Sequence, residues 1–178
     1  MTAVILIFSA PAWAAKPTPV NLSSSSNGED WKGDPETSEV NLGALTGMGI
    51  LDEQVGFALL GTVSKKIVHH GFISDVNDSV SIEAAMGPLF VSSPSGTNGT
   101  AFMYSLHLRW NFQKDEHWTF YALGGAGGAI TGASLGSKFT VLPRFGVGTF
   151  YHFNELFMIR GEISHDLIAA GVTFPFWL

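Results

Sequence analysis

The chain has 178 residues, of which 46% are hydrophobic and only 13% are charged, so it allows one domain of ordinary size but no usual solvated charged surface. The net charge of −6, with nine Lys and Arg in all, argues against nucleic acid as a partner. The absence of Cys excludes disulfide bonds, thiolate metal sites and a lipid anchor on cysteine.

The N-terminal region is typical of export and linker sequence. Residues 1–14 (MTAVILIFSAPAWA) combine an apolar run, a helix-ending proline and a small-x-small pattern, which together predict a signal peptide. A basic segment before the apolar run is missing, and a buried N-terminal strand is the alternative interpretation. Residues 15–38 are rich in Pro, Ser, Gly and charge, and they predict a flexible tether. The folded domain is therefore expected at residues 39–178.

From residue 39 onward, apolar and polar residues alternate with a period of two, which is the pattern of β-strands that have two different faces. In TAFMYSLHLRWNF (residues 100–112), Phe102 and Leu106 belong to an apolar face, and His107 and Arg109 to a polar one. Eight such segments are predicted, at about residues 40–49, 55–66, 79–90, 101–112, 117–129, 138–153, 155–164 and 167–176.

The segments are joined by short connectors, which favour antiparallel up-and-down topology. Each segment has about the ~9–11 residues that a tilted strand needs to cross a bilayer, and an even strand number is the rule for bacterial outer-membrane barrels. We therefore predict an all-β fold, an eight-stranded antiparallel up-and-down transmembrane β-barrel. The same alternation leaves a soluble ligand-binding barrel as an alternative, and the uncharged, glycine-rich residues 118–137 are long enough for a membrane helix.

The last strand carries a recognisable pattern. In GVTFPF (residues 171–176), Gly171 is followed by Phe174 and Phe176 at spacings of three and five. This pattern resembles the C-terminal β-signal that the barrel-assembly machinery of the bacterial outer membrane recognises, although Ala169 stands where a polar residue is expected. The whole of 39–178 resembles small outer-membrane barrels of the OmpA and OmpX type. That resemblance implies outer-membrane localisation, contact with lipid and lipopolysaccharide, and chain termini in the periplasm.

The polar faces of the strands predict a filled lumen, because the interior of an eight-stranded barrel is just wide enough for side chains. A hairpin corner near residues 154–155 would set Glu162 opposite about Gly146 and diagonal to Arg144. Glu83 would lie near His107 across the neighbouring hairpin, and buried charges of this kind need partners. The predicted lumen polar network consists of Glu83, His107, Arg109, Arg144, Arg160 and Glu162.

Two sets of residues are candidates for catalysis. The run RGEISHDLIAAG (residues 160–171) resembles the late strand of PagL-type lipid A deacylases, with His165 in the position of the family's His. Leu167 stands where that family has Ser, and Ser164 lies on the opposite pleat face, so a polar strand corner is the alternative interpretation. Ser105 and His107 share one face and form the second set, for which a satisfied interior network is the alternative.

These observations give one leading expectation and two alternatives. The leading expectation is a non-enzymatic outer-membrane barrel with a side-chain-filled lumen and a structural or interaction role, whose protein partner the sequence does not name. The alternatives are a lipid A-modifying, deacylase-like enzyme and a soluble ligand-binding barrel. We expect no cofactor and no metal, since His69 and His70 are adjacent on a strand end and point apart.

Overall fold

The computed structural model describes residues 38–51, 54–73, 76–92 and 98–177. The predicted signal peptide (1–14) and all but the last residue of the predicted tether (15–38) lie outside the described residues. The strands are β1 Val40–Leu51, β2 Gln54–Val68, β3 Asn77–Ser92, β4 Asn98–Gln113, β5 Trp118–Thr131, β6 Phe139–His152, β7 Met158–Ser164 and β8 Leu167–Phe176. A single 3-10 turn, Ala133–Leu135, lies between β5 and β6.

Each strand pairs with the next in antiparallel fashion, and β8 pairs with β1 to close the sheet. The prediction of an eight-stranded antiparallel up-and-down barrel is therefore confirmed. Residues 118–137 form β5 and the turn that follows it, not a helix. Among the described residues, no helix combines the length and the apolar character needed to cross a membrane.

One strand begins later than predicted. The segment expected at residues 155–164 is the short strand β7, which starts at Met158. The side chain of Asn154 accepts hydrogen bonds from the backbone N–H groups of Leu156 (2.9 Å) and Phe157 (3.0 Å), so these residues form the turn instead of the ladder.

The barrel has two rims. The terminal rim carries both ends of the folded chain and the connections β2–β3, β4–β5 and β6–β7. The distal rim carries the connections β1–β2, β3–β4, β5–β6 and β7–β8. Neighbouring strands alternate in direction, so every second connection falls at the same rim.

The outer wall of the barrel is apolar along every strand. One example from each strand, 49–61% exposed, is Met48, Phe57, Met86, Leu106, Ile130, Phe145, Ile163 and Ile168. Within the described strands, alternation directs only two charged side chains outward, those of Lys65 on β2 and Asp78 on β3. All other charged strand residues face the lumen, an arrangement opposite to that of a soluble barrel.

The lumen is filled by both apolar and polar side chains. One apolar cluster gathers Leu45, Leu60, Leu89, Met103 and Leu167 with neighbouring small residues. A second consists of Tyr121, Leu123, Phe150 and Met158. The rest of the interior holds uncharged polar side chains, such as those of Ser64, Asn111 and Thr173, together with the charged groups that form the candidate site.

Candidate functional site

Five inward-facing positions on four strands bring the charged groups together. Glu83 comes from β3, Arg109 from β4, Arg144 from β6, and Arg160 and Glu162 from β7, and each is at most 2% exposed. Residues two apart on a strand share a face, so Arg160 and Glu162 enter the lumen side by side. The alternating sequence pattern thus places charged side chains in the interior.

Glu83 accepts hydrogen bonds from three cationic or polar side chains. Arg160 donates Nη2 to Oε1 at 2.6 Å and Nη1 to Oε2 at 3.0 Å, a bidentate pair. Arg109 donates Nη1 to Oε2, and Nε2 of His107 lies 3.1 Å from Oε1. His107 is the direct cross-strand neighbour of Glu83 in the β3–β4 register. Both carboxylate oxygens of Glu83 are therefore fully used.

Glu162 is the second buried carboxylate, and it shares Arg160 with Glu83. Arg160 donates Nη2 to Oε2 of Glu162 at 2.5 Å, while Arg144 donates Nη2 to Oε1 at 2.6 Å. The hydroxyl of Tyr121 donates to Oε2 at 3.1 Å and accepts Nε of Arg160 at 2.8 Å. Arg160 thus bridges the two carboxylates and links β3 to β7 across the lumen.

The register of Glu162 differs from the prediction. Glu162 lies opposite Gly148, two residues from the predicted Gly146, because the β6–β7 connection takes residues 153–157 instead of a two-residue corner. A shift of two residues keeps the same face. The long side chain of Arg144 still reaches Glu162 across that offset.

The network continues toward the distal rim through Arg144 and Asp166. Nη1 of Arg144 lies 3.4 Å from the hydroxyl of Ser105 and 3.5 Å from Oδ2 of Asp166. With Asp166 included, three carboxylates (Glu83, Glu162 and Asp166) match three guanidinium groups (Arg109, Arg144 and Arg160). These six side chains therefore balance one another in charge, before His107 and the lumen-facing Lys66 of β2 are counted.

Two aromatic rings support the cationic groups. The guanidinium carbon of Arg109 lies 4.7 Å from the ring centre of Phe150 and 5.5 Å from that of Tyr121. That of Arg160 lies 5.1 Å from Tyr121 and 5.3 Å from Phe150. Such cation–π contacts are strengthened where water is excluded. The sequence interpretation missed Tyr121 and Phe150, although alternation in WTFYAL and VGTFYH directs both inward.

The candidate nucleophile Ser164 is engaged elsewhere. Its hydroxyl donates to Oδ1 of Asp166 at 2.7 Å and lies 3.2 Å from the carbonyl of Leu167. The ring of His165 stacks on Phe145, with ring centres 4.9 Å apart, and its Nδ1 is 3.8 Å from Asp166. The described contacts therefore do not join Ser164 to His165 as a nucleophile joins its base.

The second candidate pair is built differently. Ser105 contacts Arg144, and Nε2 of His107 faces Glu83. Nδ1 of His107 is buried and has no hydrogen-bond partner within the described part of the chain. Both residues belong to the charged network, and no described hydrogen bond joins one to the other.

Two cavities among the lumen side chains are small. A cavity of about 10 Å³ is lined by Lys66, Asn111 and Thr119 among others, and one of about 20 Å³ by Leu51, Thr140 and Arg144 among others. One buried water needs roughly 10–15 Å³. Across the described ranges no group of three or more His, Asp or Glu is placed to hold a metal ion. His69 instead contacts Glu39, with 2.7 Å between Nε2 and Oε1.

The residues of the predicted assembly signal lie on β8. Phe174 and Phe176 point outward and are 45% and 39% exposed. Gly171 is closely enclosed, since a Cβ there would come within 1.9 Å of the carbonyl oxygen of Ala44. Pro175 lies opposite Asn41 of β1 but beyond the end of the β7–β8 ladder.

No family model matches this chain, and no curated protein matches it. Solved structures of Ail, the attachment invasion locus protein of Yersinia pestis, are similar. The crystal structure of Ail with the heparin analogue sucrose octasulfate shares 17% identity over 78% of this chain and 97% of that chain, with a TM-score of 0.45. The structure of the outer membrane protein Ail in a phospholipid bilayer nanodisc shares 16% identity over 78% of this chain and 99% of that chain, with a TM-score of 0.48. A further crystal structure of Ail shares 14% identity over 78% of this chain and 97% of that chain, with a TM-score of 0.46.

Proposed function

We propose that this protein is a barrel of the bacterial outer membrane with a lumen closed by buried salt bridges, and that its role there is structural or one of interaction. One observation carries the proposal: the wall is apolar on the outside and the ionised groups lie inside. In water such a wall would expose a continuous apolar surface, whereas in a bilayer it faces hydrocarbon. This inversion also disfavours the soluble ligand-binding alternative.

The network supports a closed lumen. Arg109, Arg160 and Glu83 meet across the interior, and the cavities described above hold about one water each. We infer that the protein conducts no ions steadily and acts through its surface. Its contacts would be membrane lipid, lipopolysaccharide and, during insertion, the assembly machinery that reads Gly171, Phe174 and Phe176.

The membrane proposal is tested by cell fractionation and gel electrophoresis with and without boiling. We expect a band in the outer-membrane fraction that migrates differently after boiling, as a closed barrel resists SDS until it is heated. A periplasmic band without a mobility shift would overturn the proposal.

The lumen proposal is tested separately in planar bilayers with the purified protein. We expect no steady conductance. A stable open pore would show that the salt-bridged interior does not close the lumen, and it would leave the membrane location untouched.

The deacylase alternative receives no support from the geometry of Ser164 and His165. Mass spectrometry of lipid A from cells with and without the protein distinguishes the two functions. Unchanged acylation is the outcome expected for a non-enzymatic barrel, and loss of an acyl chain would reverse that conclusion.

A further inference from the structure

Asp78 poses a problem for a wall that faces lipid. It lies opposite Phe112 in the β3–β4 register, on the outward face that also bears Val80 and Trp110. A carboxylate in that position would face the bilayer, where ionised groups are costly. Yet Asp78 is only 3% exposed, and Val80 beside it is 9% exposed, while the outward Ile82 and Met86 on the same strand are 38% and 52% exposed.

The carboxylate is covered by the five residues that follow β2. His69–Ile73, here called the folded-back arm, return over the outside of the wall. The backbone N–H of Phe72 donates to Oδ2 of Asp78 at 3.1 Å, and that of Gly71 donates to the carbonyl of Asp78 at 2.8 Å. From the wall, Nε1 of Trp110 donates to the same Oδ2 at 2.6 Å. Asp78 thus holds the arm against the strand next to it.

The arm itself presents apolar side chains outward. Phe72 is 75% exposed and Ile73 is 41% exposed. The ring of Phe72 meets Trp110 edge-on at 6.2 Å, and Trp110 in turn contacts Phe112 at 4.9 Å. At its base the arm is polar, because His69 contacts Glu39, the residue just before β1. A polar base with an apolar tip is the arrangement of groups that lie at a membrane surface.

The tip of the arm continues a row of aromatic rings at the terminal rim. Trp118 contacts Tyr151 at 4.9 Å and stacks with Phe120 at 6.1 Å. Further along the same rim, Phe153 stacks with Phe157 at 5.2 Å. Aromatic girdles of this kind mark the level of the lipid headgroups on membrane barrels.

We propose that the folded-back arm is an interfacial anchor, which inserts Phe72 and Ile73 into the headgroup boundary of the leaflet at the terminal rim and which Asp78 latches to the wall. The occupant of this surface is the lipid leaflet itself. The anchor rests on the proposed function, because a barrel in solution would have no leaflet beside the arm. Beyond that function, the anchor gives a connection outside the strands a contact with lipid and gives one buried carboxylate the role of a latch.

The test uses spin labels, since the chain has no Cys and each introduced Cys is unique. Labels are placed through Ile73→Cys at the tip of the arm, Leu106→Cys in the middle of the wall and His117→Cys in the β4–β5 turn. The protein is reconstituted in phosphatidylcholine and phosphatidylglycerol vesicles. For each spin label we measure the accessibility to dissolved oxygen, which partitions into lipid, and to a neutral nickel chelate, which stays in water.

We expect the ratio of oxygen to nickel accessibility at position 73 to exceed that at 117 several-fold and to fall below that at 106. The latch is tested by adding Asp78→Ala to Ile73→Cys, which should lower the ratio to the level of position 117. The matched control is Asp115→Ala, which removes a carboxylate with equivalent backbone contacts in the β4–β5 turn and should leave position 73 unchanged. The shift on boiling verifies that each variant is folded, and Asp78→Val, which also has no acceptor oxygen, replaces Asp78→Ala if the latter does not fold.

The outcomes separate this inference from the proposed function. Nickel access at position 106 would mean that the wall does not face lipid, and the proposed function would fail. Lipid exposure at 106 together with nickel access at 73 would overturn only the anchor. Shielding of position 73 from both reagents would reveal a second copy or another protein on the arm and would also overturn it. An unchanged ratio of oxygen to nickel accessibility in the Asp78 variants would show that Asp78 does not hold the arm against the wall.

Discussion

Glu83 is the residue on which the buried charges converge. It takes hydrogen bonds from Arg109 and Arg160 and lies against His107, and each of the four side chains is only 1% exposed. Removing one partner from such a cluster leaves the others charged and unmatched in a place that water does not reach. The cost of a change therefore depends less on the lost bonds than on the cations left behind.

We expect Glu83→Gln to lower the free energy of unfolding by about 3–5 kcal/mol, the usual cost of breaking a buried ion pair from one side. The measurement is urea unfolding from detergent micelles, followed by Trp fluorescence. Glu116→Gln is the control, since its side chain is 80% exposed and surface changes usually stay within about ±0.5 kcal/mol. Equal unfolding midpoints for the two variants would contradict the central role of Glu83.

The place of Tyr121 in the lumen depends on a glycine. A Cβ at position 148 would lie 2.2 Å from the ring of Tyr121, whereas one at Gly161 would meet only Thr149, at 3.8 Å. We expect Gly148→Ala to destabilise the barrel by roughly 1–3 kcal/mol through overpacking and Gly161→Ala to be nearly neutral. Thermal midpoints on the gel-shift assay compare the two. A neutral Gly148→Ala would show that the ring and the backbone carbonyl of Gly161, which the added Cβ would approach to 2.4 Å, can both move freely.

At the level of elements, two turns of the terminal rim use the same device. Oδ1 of Asp115 accepts the backbone N–H groups of His117 and Trp118, both at 2.8 Å. Asn154 does the same for the β6–β7 turn. One cap is charged and the other is neutral, so only the first responds to acid.

The stability of the β4–β5 turn should depend on pH. Slight burial acts to raise the pKa of Asp115, but the N–H groups of His117 and Trp118 and the nearby charge of Lys114 outweigh it and hold the pKa below its usual range. A lowered pKa in the folded state gives stability above the unfolded pKa, and this stability is lost as the pH falls through the folded value.

We therefore expect Asp115→Asn to be less stable than the natural chain at neutral pH and equal to it in strong acid. Urea unfolding across the acid range measures the difference. Asn154→Asp is the reciprocal variant and should acquire the same dependence at its own turn. A constant difference at all pH values would mean that the carboxylate charge does not matter.

The turns also explain which elements could be predicted. The alternation of apolar and polar residues indicated every strand and its two faces, because a period of two is recognisable even where the strand boundaries are misplaced by a few residues. It did not indicate that Asn154 would take two backbone N–H groups and so shorten β7, because a capping bond depends on the local conformation. Nor did it indicate the arm over Asp78, since that contact joins an outward face to a connection.

For the whole molecule, the apolar wall predicts that the cost of an outward-facing charge depends on its depth in the membrane. Leu106 lies in the middle of β4, and Val55 lies near the distal end of β2; both point outward. We expect Leu106→Arg to cost about 2–4 kcal/mol of folding free energy in vesicles and Val55→Arg about 0–1 kcal/mol. Equal costs at both depths would be inconsistent with a hydrocarbon layer around the wall.

Closure could be predicted from the sequence, whereas the network could only be predicted in part. Eight two-faced strands with short connectors favour a ring, because closure leaves no strand edge unpaired. The partners of each charge depend on the stagger between strands, and Glu162 lies two residues from its predicted neighbour for that reason. The alternation of inward and outward positions could have placed Tyr121 and Phe150 in the lumen. It does not reveal that their rings lie against guanidinium groups.

The pairing of β1 with β8 has a consequence for how the chain reaches this state. Val40 lies opposite Phe176, so the two strands that seal the sheet are the most distant in sequence, and contacts of this kind form slowly. Until they meet, each carries a row of unpaired N–H and C=O groups that hydrocarbon cannot satisfy. For the membrane barrel proposed above, we therefore expect insertion and closure to occur as one event, without a stable half-inserted form.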